Sequence, residues 1–162
     1  MSWMSKPSAN ADFAASAATA HTPRPTGVTT PAARRWKGQL NENAKTPAVF
    51  NELPELDHNE LAGWVTNPGV ASRAVLVLLD DPAGDERLRR RLAYTAAIVQ
   101  PRVAGVVRVE ARGVLPLARV LSSVYVGDYA SLYLALLYGV DPAPVTAIED
   151  LKARLAGASA AS

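Results

Sequence analysis

The sequence predicts an α/β fold, in which a small parallel sheet carries helices on both of its faces. Short strand-like runs alternate with longer helical segments along most of the chain, an order typical of parallel sheets. The run "SRAVLVLLDD" at 72–81 is apolar up to its two aspartates, as expected for a strand that is buried on both faces. The chain has 162 residues, of which 49% are hydrophobic and 20% charged, so one globular domain is expected.

The first 30 residues do not follow this pattern. They are rich in Ala, Ser, Thr and Pro and lack apolar periodicity, so they bury too little apolar surface to offset the entropy of ordering them. We therefore expect residues 1–30 to be a disordered tail, 31–157 to form the domain, and 158–162 to be a second short tail. The run "PTGVTT" before Pro31 is a weak strand signal, so the predicted sheet has three strands and is incomplete at its N-terminal end.

The first helix and strand of the domain follow from residue 31 onward. The segment "PAARRWKGQLNENAK" predicts a helix that has Pro31 in its first turn and places Ala33, Trp36 and Leu40 on one face. "AVFNEL" at 48–53 predicts a short strand. "ELDHNELAGW" then predicts a loop that leads into a short helix.

The second half of the domain alternates in the same way. After the first buried strand, "PAGDERLRRRLAYTAAIVQ" predicts a helix with Asp85 as its N-cap. "RVAGVVRVEA" at 102–111 predicts a second buried strand. Residues 114–140 predict a long, mostly apolar helix that is closed by Gly139. An Asp-Pro pair then starts a last helix, which carries Lys152.

The composition argues against several kinds of site. The chain has no cysteine, which removes disulfides and thiolate chemistry and fits a reducing compartment such as the cytoplasm. With only His21 and His58 as histidines, a metal centre is poorly supported. The sequence also lacks a glycine-rich phosphate or dinucleotide loop. We therefore expect neither a metal nor an organic cofactor.

Charge and hydropathy argue against nucleic acid and membranes as partners. Residues 1–40 carry five basic side chains and one acidic one, whereas 41–162 carry twelve basic and fourteen acidic ones. The predicted domain is therefore mildly acidic and has no basic face for nucleic acid. The most apolar segment, 114–140, is interrupted by Arg119 and Asp128, which argues against a transmembrane helix.

Glu42 is the first candidate site residue. It lies near the C-terminal end of its predicted helix, where a negative charge meets the unfavourable end of the helix dipole. The amides of Asn41 and Asn43 flank it, and the next strand begins a few residues later. From the residues alone, both a solvated surface carboxylate and a residue in a cleft remain open.

His58 is the second candidate. It follows the strand predicted at 48–53, and in open α/β sheets the loops after the carboxyl ends of strands are where ligands bind. Asp57 and Glu60 are close neighbours in sequence, and either carboxylate can orient an imidazole ring. A polar surface histidine and a functional one both fit this pattern.

Other charged residues have simpler structural interpretations. Asp80 and Asp81 end a strand just before a helix, so they either cap that helix or bind a ligand. Asp128 lies inside an apolar helix and is expected to make a structural hydrogen bond. The basic run at 87–91 predicts a solvated helix face, and Lys152 has the local pattern of a surface lysine.

Two long segments carry a resemblance to a known family. "LNENAKTPAVFNELPELDHNELAGW" and "LARVLSSVYVGDYASLYLALLYGVDPAPVTAIEDLKARL" resemble the C-terminal half of the bifunctional phosphoglucose/phosphomannose isomerases of archaea and bacteria. The likeness extends over about residues 31–156. Members of that family consist of sugar-isomerase (SIS) domains. The resemblance therefore implies a SIS-like, three-layer α-β-α domain with flavodoxin-type topology.

The resemblance also implies roles for three residues. The glutamate of the "NEN" segment, Glu42 here, is implied to be the base that moves a proton between C1 and C2 of the open-chain sugar phosphate. The histidine of "HNE", His58 here, is implied to assist ring opening across a dimer interface. A lysine of the C-terminal helix, Lys152 here, is implied to reach the site near the ring oxygen. The implied substrate is a glucose or mannose 6-phosphate, and the implied assembly is a homodimer.

The chain also departs from the family pattern. Members have two SIS subdomains, and the first supplies the Gly- and Ser/Thr-rich loops that hold the phosphate. Residues 1–30 do not replace that half. Two interpretations therefore stay open: an isomerase in a truncated form, or a non-catalytic SIS module that binds sugar phosphate or serves as a dimerisation unit.

Overall fold

The computed structural model describes residues 14–20 and 28–159. Its strands and helices alternate along the chain as the sequence predicts. In order they are β1 (Ala14–Ala20), α1 (Thr29–Glu42), β2 (Ala48–Leu53), α2 (Glu55–His58), α3 (Glu60–Thr66), α4 (Pro68–Ala71), β3 (Ala74–Asp80), α5 (Glu86–Val99), β4 (Gly105–Glu110), α6 (Pro116–Tyr138) and α7 (Thr146–Ser159).

The described strands form one parallel sheet in the order β2-β1-β3-β4. In its register, Ala17 pairs with Phe50 on one side and Val77 on the other, and Val77 pairs with Val107. This is the strand order of the flavodoxin-like doubly wound sheets. The predicted α/β class and parallel sheet are therefore confirmed.

Strand β1 corrects the prediction for the N-terminal segment. Ala14–Ala20 lies within the predicted disordered tail, yet it forms a strand between β2 and β3, so the described sheet has four strands. "AASAATA" has few β-branched and no aromatic residues, so side-chain propensity gives no strand signal there. Backbone pairing with two neighbours stabilises this strand instead. The rest of the predicted tails, 1–13, 21–27 and 160–162, lies outside the described residues, and α7 continues two residues past the predicted boundary at 157.

Helices cover both faces of the sheet. On one face, α1 and α6 enclose a core in which Ala32 and Trp36 pack against Val77 and Leu79 of β3. Alternate residues of β3 face the opposite layer, where a second core is built with α2, α3 and α5. Its buried members are Leu53, Leu56, Leu76, Leu78, Leu92 and Val99. Strand β3 is thus buried on both faces, as predicted.

Strand β4 is more exposed than predicted. Val107 is 47% exposed, and no residue of β4 is fully buried. Among the described strands β4 pairs only with β3, so it forms an edge of the sheet. Its Val-rich sequence gives the same signal as a central strand, because apolar content alone does not record the number of neighbours.

Helix α6 packs against the domain mainly through small residues. Its buried residues are mostly small, among them Ser123, Gly127, Ser131 and Ala135, whereas most of its large apolar residues are exposed. Gly139 ends the helix in the left-handed conformation, with φ of 67°, as predicted. By length and composition alone, this 23-residue helix would be long and apolar enough to cross a membrane. The absence of a membrane partner stays a prediction.

Candidate functional site

The direction of α1 decides where Glu42 lies. Near the start of α1, Thr30 Oγ1 donates to Glu52 Oε2 at 3.2 Å, close to the end of β2. Near its end, Asn41 Nδ2 donates to the carbonyl of Ala48, the first residue of β2, at 3.3 Å. Helix α1 therefore runs opposite to the strands. Glu42, its last residue, lies at the edge where the strands begin, which we call the amino edge.

The residues on either side of Glu42 are fixed by hydrogen bonds. Asn41 Nδ2 also donates to the Lys37 carbonyl at 2.6 Å. Asn43 Nδ2 donates to Ser131 Oγ of α6 at 2.8 Å and to Gln39 Oε1 at 3.1 Å. The two asparagines that flank Glu42 in the sequence thus hold the end of α1 on the sheet and on α6. Glu42 itself is exposed to solvent.

Lys45 connects the end of α1 to the segment that leads into α7. Its Nζ donates to the carbonyls of Glu42 and Pro144, both at 2.6 Å, and lies 3.4 Å from that of Pro142. Lys45 adopts a left-handed backbone with φ of 53°, a conformation that costs a non-glycine residue free energy. This role of Lys45 could not be predicted from the sequence, because three backbone carbonyls leave no pattern in side-chain types.

A second contact holds the same region together. Tyr138, the last residue of α6, shares a side-chain hydrogen bond with Thr46. Burial raises the pKa of the Tyr138 phenol, and the bond to Thr46 acts in the opposite direction. The end of α6, the turn at 45–46 and the start of α7 therefore meet at the amino edge.

Lys152 lies on α7, the helix that begins at this edge. It is exposed, as is the rest of α7 over 146–157. Glu42 and the start of α7, the helix that carries Lys152, thus lie at the same edge of the sheet. The expectation that their two side chains converge on one cleft stays a prediction.

His58 lies at the opposite edge, where the strands end. It is the last residue of α2, which follows β2 directly, and it is exposed. Strand β2 has six residues, so its length separates the two edges by about 20 Å. The sheet therefore places Glu42 and His58 at its two opposite edges.

The carboxylates next to His58 in sequence are bonded elsewhere. Asp57 accepts from Thr95 Oγ1 at 2.8 Å and from Arg91 Nη1 at 3.1 Å, and so fastens α2 to α5. Glu60 accepts from Asn51 Nδ2 at 2.8 Å, and its other oxygen is buried. The idea that these carboxylates orient the imidazole does not match the contacts that they make.

Asp80 and Asp81 form ion pairs at the carboxyl edge of β3. Fully buried Asp80 accepts from Arg89 at 3.3 Å and from Arg108. The hydrogen bond to Asp80 and its charge raise the pKa of Arg89. Asp81 pairs with Arg119 at 3.0 Å. Both carboxylates are therefore paired with arginine side chains.

Neither aspartate caps α5, although capping was one of the two roles that their position in the sequence allowed. The N-cap is Asp85, whose carboxylate accepts from the backbone amide of Arg87 at 2.8 Å, as predicted. The basic run at 87–91 is also more than a solvated face, because Arg89 and Arg91 both make tertiary ion pairs.

Asp128 makes the structural bond that was predicted for it. Its carboxylate accepts from Arg35 Nε and Nη2, both at 2.8 Å, which joins α6 to α1. The hydrogen bond and charge of Asp128 raise the pKa of Arg35. Both charged residues of α6, Arg119 and Asp128, are thus committed to pairs inside the domain.

A groove of about 410 Å³ lies between α3 and α5. Its lining includes Asp57, Leu61, Arg87, Arg90, Arg91 and Tyr94. Two of its lining residues, Asp57 and Leu61, are close to His58 in the sequence, but none of the three predicted site residues lines it. Among the described residues, no group of three His, Asp or Glu side chains is arranged to hold a metal ion.

Comparison with known proteins identifies the family. A family model described as "Bacterial phospho-glucose isomerase C-terminal SIS domain" matches residues 11–155, a range that includes β1 and all three predicted site residues. The chain belongs to this family. The predicted resemblance is thereby confirmed, and the described domain is a SIS domain.

The curated relatives considered next are named bifunctional phosphoglucose/phosphomannose isomerases. The chain is 41% identical over 130 residues to the bifunctional phosphoglucose/phosphomannose isomerase of Aquifex aeolicus, covering 80% of this chain and 40% of that protein. It is 42% identical over 130 residues to the enzyme of the same name from Caldicellulosiruptor bescii, covering 80% and 38%. The chain thus spans about two fifths of the length of these relatives.

Solved structures agree with the fold. A glucose-6-phosphate isomerase like protein from Thermus thermophilus superposes with a TM-score of 0.59 at 26% identity, covering 77% of this chain and 40% of that one. A putative sugar-phosphate isomerase from Listeria monocytogenes gives a TM-score of 0.57 at 15% identity, covering 80% and 73%. The second likeness supports the SIS fold alone.

Proposed function

We propose that this SIS domain takes part in the isomerisation of glucose 6-phosphate or mannose 6-phosphate to fructose 6-phosphate. The observation that carries the proposal is the 41–42% identity to bifunctional phosphoglucose/phosphomannose isomerases. An alignment of 130 residues in a chain of 162 must include Glu42 and His58. The family match extends over Lys152 as well.

In the proposed reaction Glu42 transfers the proton. Its carboxylate removes the proton from C2 of the open-chain aldose, and the C–H electron pair forms the double bond of a cis-enediolate. Glu42 then returns the proton to C1, and the proton of the C2 hydroxyl moves to O1, so that C2 becomes the carbonyl carbon of the ketose. A positioned general base of this kind contributes about 10²–10⁴-fold to the rate. Lys152 serves near the ring oxygen, where its charge stabilises developing negative charge.

The proposed roles require a second copy of the chain. Glu42 and His58 lie at opposite edges of one sheet, about 20 Å apart along the strands, so one copy does not bring both to the same hexose. In a homodimer, His58 of one copy assists ring opening at Glu42 of the other. Glu42 is exposed in the single copy, and assembly would also shield the reacting carbon from water. We place this homodimer in the cytoplasm.

The proposal is tested by following fructose 6-phosphate formation from glucose 6-phosphate with NMR. We expect the wild-type chain to be active and Glu42→Gln to lose about 10²–10⁴-fold in kcat. Glu149→Gln, an exposed carboxylate on α7, is the matched control and should retain full activity. Equal rates for wild type and Glu42→Gln would exclude Glu42 as the base.

A second candidate function is a non-catalytic SIS module that binds sugar phosphate. The observation that favours it is that Glu42, His58 and Lys152 are all exposed and that none of them lines the described groove. Such a module binds fructose 6-phosphate in calorimetry but forms no product. Saturable binding without turnover, unchanged in Glu42→Gln, would support this function over the isomerase.

A further inference from the structure

Lys45 contacts both of the segments on which the proposed proton transfer depends. Its Nζ donates to the carbonyl of Glu42, the last residue of α1, at 2.6 Å. It also donates to the carbonyl of Pro144 at 2.6 Å and lies 3.4 Å from that of Pro142. Both prolines come just before α7, the helix that carries Lys152. An ammonium group has three donors, so this one side chain joins the end of α1 to the start of α7.

Helix α7 depends on its first turn for its position. Every side chain over 146–157 is exposed, so packing contributes little to holding this helix against the domain. Lys152 lies about 9 Å along the helix axis from Thr146, the first residue of α7. A tilt of α7 about its start therefore moves Lys152 relative to Glu42.

The segment that Lys45 holds is stiff and lies directly before α7. Pro142 and Pro144 fix their own φ angles near −65°. The amide of Ile148 donates to the carbonyl of Val145 at 2.8 Å, which closes the first turn of the helix just after the second proline. The hydrogen bond from Lys45 to the Pro144 carbonyl therefore fixes the direction in which α7 leaves the domain.

The backbone of Lys45 also points to a role for its side chain. Its φ of 53° lies in the left-handed region, and no other non-glycine residue that the structure describes has a positive φ. Glycine adopts this region without cost, and asparagine tolerates it better than most residues do. Backbone preference alone would therefore favour glycine or asparagine at position 45. A lysine there indicates that the ammonium group is needed.

We infer that Lys45 is a positioning residue, which fixes the distance between Glu42 and the helix of Lys152. The inference rests on the proposed function, in which Glu42 moves the proton and Lys152 stabilises developing charge. Asn41 and Asn43 hold the end of α1 on β2 and α6, whereas Lys45 joins it to the start of α7. A reacting group displaced by about 1 Å loses about 10²-fold in rate, so this link matters for catalysis although Lys45 contacts only backbone carbonyls.

Kinetic measurements on three variants test the positioning role. For Lys45→Met, which keeps the length of the side chain but has no donor, we expect kcat with glucose 6-phosphate to fall about 10–10²-fold at an unchanged KM. Lys45→Asn suits the left-handed backbone and also lacks the ammonium group. It should be as stable as the wild type in urea denaturation and yet show the same loss of kcat. Lys37→Met, at an exposed lysine of α1, is the matched control and should retain full activity.

A distance measurement tests the link between the helices without relying on activity. The chain has no cysteine, so Lys37→Cys on α1 and Arg154→Cys on α7 place one spin label on each helix. Both positions are exposed. Double electron–electron resonance then gives the distance between the labels, with the labelled chain diluted into unlabelled chain so that only distances within one copy are recorded. We expect a narrow distance distribution when Lys45 is present and a broader one in Lys45→Met.

The two measurements separate this inference from the proposed function. An active wild type whose kcat is unchanged in Lys45→Met overturns the positioning role and leaves the isomerase proposal intact. Full activity in Lys45→Asn overturns it as well, because the role would then belong to the backbone. Equal distance distributions with and without the lysine overturn it whatever the activity. An inactive wild type whose distribution broadens in Lys45→Met contradicts the isomerase proposal but supports the link that Lys45 makes between α1 and α7.

Discussion

Gly127 and Trp36 set how closely α6 approaches α1. The indole Nε1 of Trp36 donates to the Ser123 carbonyl at 2.8 Å. A Cβ on Gly127 would lie only 2.2 Å from that same Nε1, so a side chain at position 127 cannot be accommodated without moving the indole. The helical spacing predicted that Trp36 shares one face of its helix with Ala33 and Leu40. The matching glycine was not predicted, because its role depends on a neighbour 91 positions away.

This contact yields a prediction for stability. Gly127→Ala should lower the free energy of unfolding by about 1–3 kcal/mol, since overpacking forces neighbouring groups to shift. Gly38→Ala is the matched control, because it also lies within a helix and its Cβ would meet nothing within 4 Å. It should raise stability by about 0.5–1 kcal/mol through helix propensity. Urea denaturation of both variants measures the difference, and a stabilising Gly127→Ala would contradict the packing described.

At the scale of elements, two ion pairs fasten α6 to the domain. Arg119 and Asp81 join its start to the end of β3, with side chains only 10% and 8% exposed. Arg35 and Asp128 join its middle to α1, with side chains 47% and 30% exposed. The sequence predicted that Asp128 makes a structural bond. It did not indicate that Asp81 is bonded to Arg119, because the two charges lie on separate elements.

The two pairs should differ in their contribution to stability. Asp81→Asn leaves a buried arginine without its counter-charge, which should cost about 3–5 kcal/mol. Asp128→Asn breaks a more exposed pair and should cost about 1 kcal/mol or less. Thermal and chemical denaturation would check this order. A larger loss in Asp128→Asn than in Asp81→Asn would contradict the burial described for the two pairs.

Most helices and strands were predictable from periodicity, but the elements that each of them pairs with in the sheet were not. The buried strand β3, the N-cap Asp85 and the closing Gly139 all follow from local patterns. Strand β1 did not, because "AASAATA" owes its conformation to backbone pairing with β2 and β3. The edge position of β4 was missed for a similar reason, since pairing partners leave no local signal.

At the scale of the whole molecule, the sheet organises the candidate site. Parallel strands have two distinct edges, and the order of the elements assigns Glu42 to one and His58 to the other. The sequence and its family resemblance indicated both residues. Their separation within one copy agrees with the expectation that His58 acts at the site of a second copy. The hydrogen bonds of Lys45 to three backbone carbonyls and the exposure of the large apolar residues of α6 could not be predicted from the sequence, because both depend on neighbouring elements.

The central claim is that the Glu42 carboxylate moves the substrate proton. The most direct test is incorporation of solvent deuterium at C2 of glucose 6-phosphate, followed by proton NMR in heavy water. We expect exchange in the wild type and a loss of about 10²–10⁴-fold in Glu42→Gln, with Glu149→Gln unchanged. Exchange at the same rate in wild type and Glu42→Gln would contradict it.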